Sequence, residues 1–555
     1  MKHQFLKRST YRDGKLNVWT LFWCGLLLVM LFRVFYFGID YFNYLDDNNT
    51  YGVFYRRNGD IFNGIVKWYR LYTFRPIAFL CDAYITQWFW PVMWLPLLFY
   101  TVMHFFTVYL FKKTLNLSGI SFSLLGIVIL SFTPILLEAV YWIGASTRLV
   151  PGMFFSILSC YVCLKFIPYI NAGKICPLVI YALLNLISTG FYEQIIVFNF
   201  LFALTVFAIN FRKFEKRRLF IPAVPFISTF LIGAFYLVFW NHGKVQSRGQ
   251  IAENGVINNV ISTAKGIYNI LIKQNMTVNI MGIKGFFHID INIWQVLILI
   301  VVFIFFVFAF WIFSKQDLTD TFLPRFTPLL KIAFGFIFTL VTFAPFFVLE
   351  NNYIAMRTAY PAIFGIAVFA EGLLALLLKF TGKSFKNFAL MLISLIGVLF
   401  FVISLTEINN YRLVEKDDDI ISANFLHSYT AEMGESPGNN VYVNNNIVLL
   451  NTKVLYSPVS RAGYENVTAS DWAFLGKVNA KSEGYYFTNI YPVTENGLIA
   501  VDHLNSETVL FAVDSHLNFK RVFLLGNELT FANGENYGYF TEENGFYRLN
   551  IKKTT

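Results

Sequence analysis

The apolar stretch VWTLFWCGLLLVMLFRVFYFG, residues 18–38, decides how the rest of this sequence folds. It is about 20 residues long, which is the length that a helix needs to cross the hydrocarbon core of a membrane. Runs of similar length and composition recur as far as Leu405. Of the 555 residues, 56% are hydrophobic and 14% are charged, whereas soluble domains carry about a quarter charged residues. The sequence therefore predicts an α-helical polytopic membrane protein.

Clusters of Lys and Arg mark alternate loops between the apolar runs. The N-terminal residues 1–15 are basic, and residues 212–218 form the strongest cluster. Because such clusters stay on the cytoplasmic side of a membrane, we expect about 11 transmembrane helices, with the N-terminus cytoplasmic and the C-terminus extracytoplasmic. The net charge of +11 comes largely from these loops, and no basic stripe interleaved with aromatic residues indicates a nucleic-acid partner.

The composition divides the chain into two parts. Residues 1–408 are predicted to form the transmembrane domain, with a first outer loop at 39–87 and a long outer loop at 241–291. From residue 409 the sequence is polar, and short apolar runs alternate with Asn-Gly and Gly-Asn turns. That pattern predicts a small C-terminal β-rich domain, residues 409–555, on the extracytoplasmic side.

Two adjacent acids, Asp46 and Asp47, follow the first apolar run within the segment YLDDNNT, residues 44–50. An acid pair beside a membrane helix is costly unless it faces water, a cation or a substrate. One interpretation is that the pair heads an active site. The alternative is that it caps the helix or lies in the headgroup layer. Further charged residues are predicted on the same outer side, among them Arg75, Asp82, Glu138, Arg148, Glu193, Glu350 and Arg357.

Acids and arginines together at one membrane face fit glycosyl transfer from a lipid-phosphate sugar. A carboxylate can take the proton from the acceptor hydroxyl, and arginines, or a metal ion held by the acids, can hold the leaving phosphate. Each residue also has a structural interpretation. Arg148 and Arg357 would anchor helix ends to lipid headgroups, Glu138 and Glu193 would pair with an arginine, and Asp82 would be a local cap.

The motifs of the first outer loop resemble those of a known family. Asp46-Asp47, Trp68 and Phe74-Arg75-Pro76 are similar to the pattern of bacterial and phage glucosyltransferases that decorate surface polysaccharide. These enzymes belong to the GT-C superfamily of membrane glycosyltransferases. The sequence departs from the pattern at two points: Asn48-Asn49-Thr50 stands where the family has an arginine, and Phe74 stands where it has a glycine.

The resemblance implies a transmembrane domain of the GT-C type that uses a polyprenyl-phosphate-linked monosaccharide as donor. The acceptor would be an extracytoplasmic glycan or glycopolymer of a bacterial cell envelope, held in part by the C-terminal domain. Asp46 or Asp47 would be the catalytic base, with a divalent metal ion at the same pair as an option, and Arg75, Arg148 and Arg357 would bind the donor phosphate. A separate lipid-sugar synthase and a small flippase would work with the enzyme.

Two other functions remain open from the sequence. A transporter or flippase of lipid-linked sugars would also place polar residues near membrane helices, although transporters usually concentrate charges near the bilayer midplane and contain internal repeats. A non-catalytic membrane scaffold would bind a partner through its outer domain. The scaffold alone predicts that Asp46 and Asp47 can be replaced without loss.

Overall fold

The computed structural model describes residues 17–53, 55, 75–214, 220–240, 256–315, 328–348, 354–434, 441–452, 466–494, 496–514 and 516–552. A bundle of helices comes first, and a domain of eight strands follows it. Three residues named above, Trp68, Phe74 and Glu350, lie outside the described residues.

The α-helices begin and end as follows: α1 (Val18–Val34), α2 (Pro76–Tyr84), α3 (Trp94–Leu117), α4 (Leu124–Phe132), α5 (Leu137–Val140), α6 (Ile143–Lys165), α7 (Ile167–Asn171), α8 (Cys176–Thr189), α9 (Glu193–Asn210), α10 (Phe220–Trp240), α11 (Val256–Tyr268), α12 (Asn275–Phe286), α13 (Ile293–Ser314), α14 (Pro328–Val341), α15 (Ala344–Val348), α16 (Tyr360–Met433) and α17 (Asp471–Lys481).

Six helical segments are long and apolar enough to cross a membrane, among the residues that the structure describes. They are Trp94–Leu117, Ile143–Lys165, Glu193–Lys213, Ile293–Ser314, Met356–Thr381 and Phe385–Met433. Three shorter apolar helices accompany them, Val18–Val34, Cys176–Thr189 and Pro328–Val341. By length and composition these helices are compatible with a membrane protein, while the expected number of about 11 transmembrane helices stays a prediction.

Helix α16 is helical throughout but consists of two antiparallel arms. At a rise of about 1.5 Å per residue, a straight helix would separate residues 360 and 411 by about 75 Å. The guanidinium of Arg357, just before α16, nevertheless lies over the ring of Trp142 at 4.9 Å. The ring of Tyr411 lies 5.2 Å from that of Tyr141. The chain therefore reverses between the segments Met356–Thr381 and Phe385–Met433.

Buried side chains satisfy both ends of α4. At its start, the Glu371 carboxylate accepts hydrogen bonds from the backbone N–H groups of Ser123 and Gly126, each at 2.9 Å. At its end, Pro134 lacks the N–H that would bond the carbonyl four residues earlier. That carbonyl belongs to Leu130, and ring nitrogen Nε2 of His104 lies 3.0 Å from its oxygen. The Arg33 guanidinium donates to the neighbouring carbonyl of Ser131 at 2.7 Å.

Lysines gather at one end of the bundle. Lys213 donates to the carbonyl of Leu117, and Lys331 donates to the carbonyl of Ser121, each at 2.9 Å. Lys112 is buried between aromatic rings, with its ammonium 4.7 Å from the centre of the Phe313 ring. These contacts join the ends of several helices at one face. The acid pair lies at the other face, beyond the opposite ends of α1 and α3.

The predicted outer loop 241–291 contains two α-helices, α11 and α12, where it is described. Helices α11 and α12 are joined by one turn of π-helix, Asn269–Gln274. Ile267 packs in a cluster with Phe343 and Phe346, and Thr406 donates to the carbonyl of Gly282 at 2.7 Å. Isolated apolar residues along this polar segment bury one side of each helix against the bundle. Because the segment is polar overall, the helical spacing of these apolar residues is not apparent in the sequence.

The C-terminal domain contains one eight-stranded mixed sheet, with strand order β2-β1-β4-β5-β6-β7-β8-β3. Its strands are β1 (Val441–Leu450), β2 (Tyr485–Val493), β3 (Leu498–Ala500), β4 (Val509–Val513), β5 (Phe519–Leu525), β6 (Glu528–Phe531), β7 (Asn536–Glu543) and β8 (Phe546–Ile551). Strand β1 is parallel to β2 and β4, and the remaining pairs are antiparallel. The β-rich domain expected from the sequence is confirmed.

The boundary at residue 409 falls inside a helix rather than between domains. The second arm of α16 continues to Met433, and its residues Ile421, Phe425 and Tyr429 fill the core between the sheet and α17. The polar composition after residue 409 reflects the solvated side of this helix. One helix thus belongs both to the bundle and to the C-terminal domain, and it fixes the domain against the bundle.

Candidate active site

The acid pair occupies a tight turn between α1 and a π-helical turn, Asn48–Val53. The backbone N–H of Asp47 donates to the carbonyl of Tyr44 at 2.9 Å. Leu45, inside this turn, has a φ of 34°, a left-handed conformation that is unfavourable for a branched side chain. Such strain persists where the surroundings enforce it, and it is common at functional sites.

Asp47 is fully buried and fully hydrogen-bonded. Its Oδ1 accepts from the backbone N–H of Gly144 at 2.9 Å, and its Oδ2 accepts from the N–H of Tyr44 at 3.0 Å and from the hydroxyl of Tyr41. The same Tyr41 hydroxyl accepts from the N–H of Ile143 at 3.0 Å. Because Ile143 and Gly144 begin α6, Asp47 and Tyr41 together cap that helix.

Burial raises the pKa of Asp47 to about 7, and its three hydrogen bonds oppose that rise. The carboxyl group therefore titrates near neutral pH. Its main contacts are structural, since every one of them holds the acid-pair turn or the first turn of α6.

Asp46 differs from its neighbour. Its side chain is half-buried, and its carboxylate has no hydrogen-bond partner among the residues that the structure describes. The positive charge of Arg357 and the carboxyl of Asp47 both interact with it electrostatically. Of the two predicted candidates for a base, Asp46 is the one whose carboxylate is available to a ligand.

Arg357 pairs with Glu138. Its guanidinium donates to Glu138 Oε1 at 2.5 Å, and its backbone N–H donates to Oε2 at 3.1 Å. The guanidinium also lies over the ring of Trp142 at 4.9 Å. The carboxylate of Glu138 thus holds both the side chain and the backbone of Arg357 beside the acid pair.

Arg75 pairs with Glu193 through two parallel hydrogen bonds. Its Nε donates to Oε2 at 2.8 Å, and its second terminal nitrogen donates to Oε1 at 2.5 Å. The guanidinium lies 4.0 Å from the centre of the Tyr192 ring. This two-fork geometry fixes the guanidinium plane as well as its position.

Arg148 pairs with Asp82, which corrects the expectation that Asp82 is a local cap. The Arg148 Nε lies 3.4 Å from Asp82 Oδ2, and the hydroxyl of Tyr51 donates to Oδ1 at 2.8 Å. Burial raises the pKa of Asp82, and the neighbouring Arg148 opposes that rise. Tyr51 lies in the turn that follows the acid pair, so this ion pair is tied to the same segment.

The three arginines converge on Tyr192. The charges of Arg75, Arg357 and Arg148 all act on its phenol group. Tyr192 is buried and immediately precedes α9. The predicted arginines are therefore brought together, and each has a predicted or neighbouring acid as its partner.

The C-terminal domain closes over the acid-pair segment. Helix α17 packs against the turn Asn48–Val53: a Cβ added at Gly476 would lie 2.8 Å from the Asn49 side chain. Beside it, the N–H and side-chain amide of Asn43 both donate to Glu415 in α16, at 3.0 and 2.9 Å. The domain thus contacts the first loop directly.

No protein-family model matches this chain, and no curated protein is detectably similar to it. The assignment of function therefore depends on the residues of the site itself.

The acid pair does not fit a metal site. No group of three or more His, Cys, Asp or Glu side chains is placed to hold a metal ion within the described part of the chain. Both oxygens of Asp47 already accept hydrogen bonds from Gly144, Tyr44 and Tyr41. Asp46 and Asp47 thus belong to no set of three such side chains in the described ranges, so we derive no catalytic step through a metal.

Sequence reasoning missed three residues of the site: Tyr41, Trp142 and Tyr192. All three are aromatic in a chain with 31 Tyr and 64 Phe, so their presence alone carries no signal. Their positions offered a weak signal, since Trp142 and Tyr192 directly precede the helices α6 and α9, which contain Arg148 and Glu193.

Proposed function

We propose that this protein is a membrane glycosyltransferase of the GT-C type, a hexosyltransferase that uses a polyprenyl-phosphate sugar. It transfers the monosaccharide to an extracytoplasmic glycan or glycopolymer. The observation that carries this proposal is the juxtaposition of an unpaired carboxylate, Asp46, with three arginines at one end of an apolar helical bundle. A base and a phosphate-binding cluster are the two parts that this reaction needs.

Asp46 acts as the general base in this mechanism. Its carboxylate takes the proton of the acceptor hydroxyl as the oxygen attacks the anomeric carbon of the sugar. A new carbon–oxygen bond forms, the bond from that carbon to the phosphate oxygen breaks, and the polyprenyl phosphate leaves with the electron pair. Asp47 takes no part in the proton transfer; it holds the turn on which Asp46 lies.

Arg75, Arg148 and Arg357 stabilise the charge that develops on the leaving phosphate. Each is held by its own carboxylate, which keeps the guanidinium oriented before the donor binds. Preorganised cations cost little rearrangement at the moment of reaction, and this is the usual source of a large rate effect. The lipid tail of the donor would remain in the bilayer beside the bundle.

The orientation of the protein in the membrane follows from the distribution of its charged residues. The lysine-rich end of the bundle is the cytoplasmic side by the positive-inside rule. The acid–arginine end and the C-terminal domain then face outward, with the N-terminus inside, as about 11 transmembrane helices require. The C-terminal domain, seated on the acid-pair segment, helps to hold the acceptor. A separate synthase would supply the lipid-linked sugar, and a flippase would deliver it.

A flippase of lipid-linked sugars is the alternative, because Arg33 is a charged residue within the bundle. Arg33 has a structural explanation, however, since it donates to the carbonyl of Ser131 at the end of α4. A non-catalytic scaffold would not require Asp46.

The test compares surface glycans and lipid-linked sugars in cells that carry the wild type, a deletion or Asp46→Asn. If the protein is a glycosyltransferase, both altered strains lose a side-chain sugar from their surface glycan and accumulate the lipid-phosphate sugar. The Asp46→Asn protein should be present at wild-type levels. A strain that keeps its glycans with Asp46→Asn would refute the catalytic role.

A further inference from the structure

Helices α11 and α12 are apolar on two opposite sides. One side is buried in the bundle and includes Ile267, Ile270 and Val278. The other side is exposed and carries large apolar side chains at four-residue intervals, the spacing that keeps residues on one face of a helix. These are Tyr268, Ile272, Met276 and Ile280, which we call the exposed stripe. A helix that is apolar all round is normally covered on both sides, so the exposed stripe calls for an apolar partner.

The exposed stripe passes beside the arginine cluster. The π-helical turn Asn269–Gln274, which joins α11 to α12, contacts the short turn Met356–Ala359 that contains Arg357. The apolar side chains of Leu271 and Ile354 pack against the same cluster there. An apolar chain that leaves a phosphate at Arg357 would therefore meet the exposed stripe within a few side chains.

The exposed stripe also continues onto a surface that suits the bilayer. Phe287 directly follows α12 and is exposed, and so are Trp294 and Leu297 in the first turns of α13. Helix α13 is long and apolar enough to cross a membrane, and most of its residues are not buried. Such a surface contacts lipid in a membrane protein. The exposed stripe thus connects the arginine end of the bundle to the lipid-facing side of α13.

The charge of this segment is positive on the side where the positive-inside rule predicts few cations. Residues 256–289 contain three lysines and no Asp or Glu. The lysines, Lys265, Lys273 and Lys284, are all exposed. They lie at the arginine end of the bundle, which the proposed function assigns to the outer side, and Lys and Arg are normally scarce there. Lysines beside an exposed apolar face match a lipid that has an anionic head and an apolar chain.

We propose that the exposed stripe binds the polyprenyl chain of the lipid-linked donor and guides it from the bilayer to the arginine cluster. The inference rests on the proposed function, because it assigns the chain of a donor whose phosphate lies at the three arginines. Bulk phospholipid is the competing occupant of such a surface. The exposed stripe favours the donor, because the arginines hold its phosphate while its chain lies along α11 and α12, and both contacts act on one molecule.

The experiment places a photoreactive benzoylphenylalanine in the purified full-length protein, in lipid nanodiscs that contain a trace of radiolabelled polyprenyl-phosphate glucose. The substitutions on the exposed stripe are Ile272→benzoylphenylalanine and Met276→benzoylphenylalanine. The matched control is Phe230→benzoylphenylalanine, at a similarly exposed apolar position on α10, which packs against α8 and α9. Cross-linking is repeated with excess unlabelled polyprenyl phosphate and with excess phosphatidylglycerol.

We expect labelled cross-links at positions 272 and 276 that unlabelled polyprenyl phosphate largely abolishes and phosphatidylglycerol leaves unchanged. The cross-link at position 230 should respond to neither competitor, because only bulk lipid reaches it.

A second arm measures binding of polyprenyl-phosphate glucose and of geranyl-phosphate glucose, whose chain is much shorter. Ile280→Asn puts a polar group under the distant part of the long chain, so it should weaken binding of polyprenyl-phosphate glucose about fivefold and leave the short donor unaffected. Leu231→Asn on α10, where the leucine is as exposed as Ile280, is the matched control and should change neither affinity.

Cross-links at positions 272 and 276 that neither competitor reduces, or that phosphatidylglycerol reduces equally, would overturn the proposal and leave bulk lipid as the occupant. An equal loss of both donors in Ile280→Asn, or an equal loss of the long donor in Leu231→Asn, would overturn it as well. Failure of the proposed function would look different, because the competed cross-links would persist while the purified wild type transferred no sugar.

Discussion

The backbone N–H of Gly144 donates to Oδ1 of Asp47 over 2.9 Å, and this bond joins the acid-pair turn to the first turn of α6. Two segments almost 100 residues apart thereby share one carboxylate. The two acids therefore differ in role: the Asp47 carboxylate holds the turn, and the Asp46 carboxylate can act as the proposed base.

Asp47→Ala should destabilise the protein more than Asp47→Asn. Alanine removes the acceptor of the hydrogen bonds from Gly144, Tyr44 and Tyr41, at a cost of about 3 kcal/mol or more in free energy of unfolding. Asparagine keeps one acceptor oxygen and should lose about half as much. Thermal unfolding of both purified variants measures the difference. Equal stability of the two variants would show that the hydrogen bonds to Asp47 do not hold the turn.

The stability of the wild type should fall as pH rises towards neutrality, relative to Asp47→Asn. Burial raises the pKa of Asp47 to about 7 in the folded protein, whereas an unfolded Asp titrates near 4. Between these values the folded state binds more protons, so stability decreases with pH by at most about 1.4 kcal/mol per pH unit and is flat above pH 7. Melting temperatures of both proteins from pH 5 to pH 8 test this. Parallel curves would contradict it.

The effects of Glu138→Gln and Arg357→Gln on stability should offset each other in the double variant, whereas their effects on activity should not. Either change alone removes the ion pair at this partly buried position and should cost about 2 kcal/mol or more. The double variant should recover most of that stability, and it should remain inactive because the phosphate loses Arg357. The exposed pair Glu543 and Arg548 is the matched control, and Glu543→Gln should leave the melting temperature close to that of the wild type, because exposed ion pairs contribute little to stability. Recovery of transfer in the double variant would make the pair purely structural.

Gly476→Val should impair transfer by displacing the C-terminal domain from the acid-pair segment. A side chain at Gly476 would meet Asn49, with its Cβ at 2.8 Å. The matched control is Trp472→Ala on the same helix, because the Trp472 side chain is 41% exposed and lies at the helix surface. The measurement is turnover of labelled lipid-linked sugar together with thermal unfolding. A Gly476→Val protein with wild-type turnover would show that the seating of the domain does not matter to the site.

Much of the architecture is encoded locally and could be predicted. Apolar runs mark the helices, and alternating runs separated by turn residues mark β1, β2 and β4. Helices α11 and α12 could not be recognised, because single apolar residues such as Ile267 are buried only by distant partners. The second arm of α16 beyond residue 409 has a polar composition, and its buried side becomes apparent only once the sheet covers Phe425.

The candidate site was predictable as a set but not in its pairings. The turns predicted to lie outside contain these acids and arginines, and one end of the bundle brings them together. Which acid holds which arginine depends on contacts such as Glu138 with Arg357, which are 219 residues apart. The difference between Asp46 and Asp47 depends on Tyr41 and Gly144, and nothing in the sequence of the acid pair distinguishes its two members.

The most direct test is a transfer assay with purified wild type and Asp46→Asn, supplied with labelled polyprenyl-phosphate sugar and an extracytoplasmic glycan acceptor. We predict that the wild type transfers the label, and that Asp46→Asn unfolds at the wild-type temperature and loses transfer by about a hundredfold or more, as expected for the loss of a general base. Wild-type turnover by the Asp46→Asn protein would contradict the assignment of Asp46 as the base.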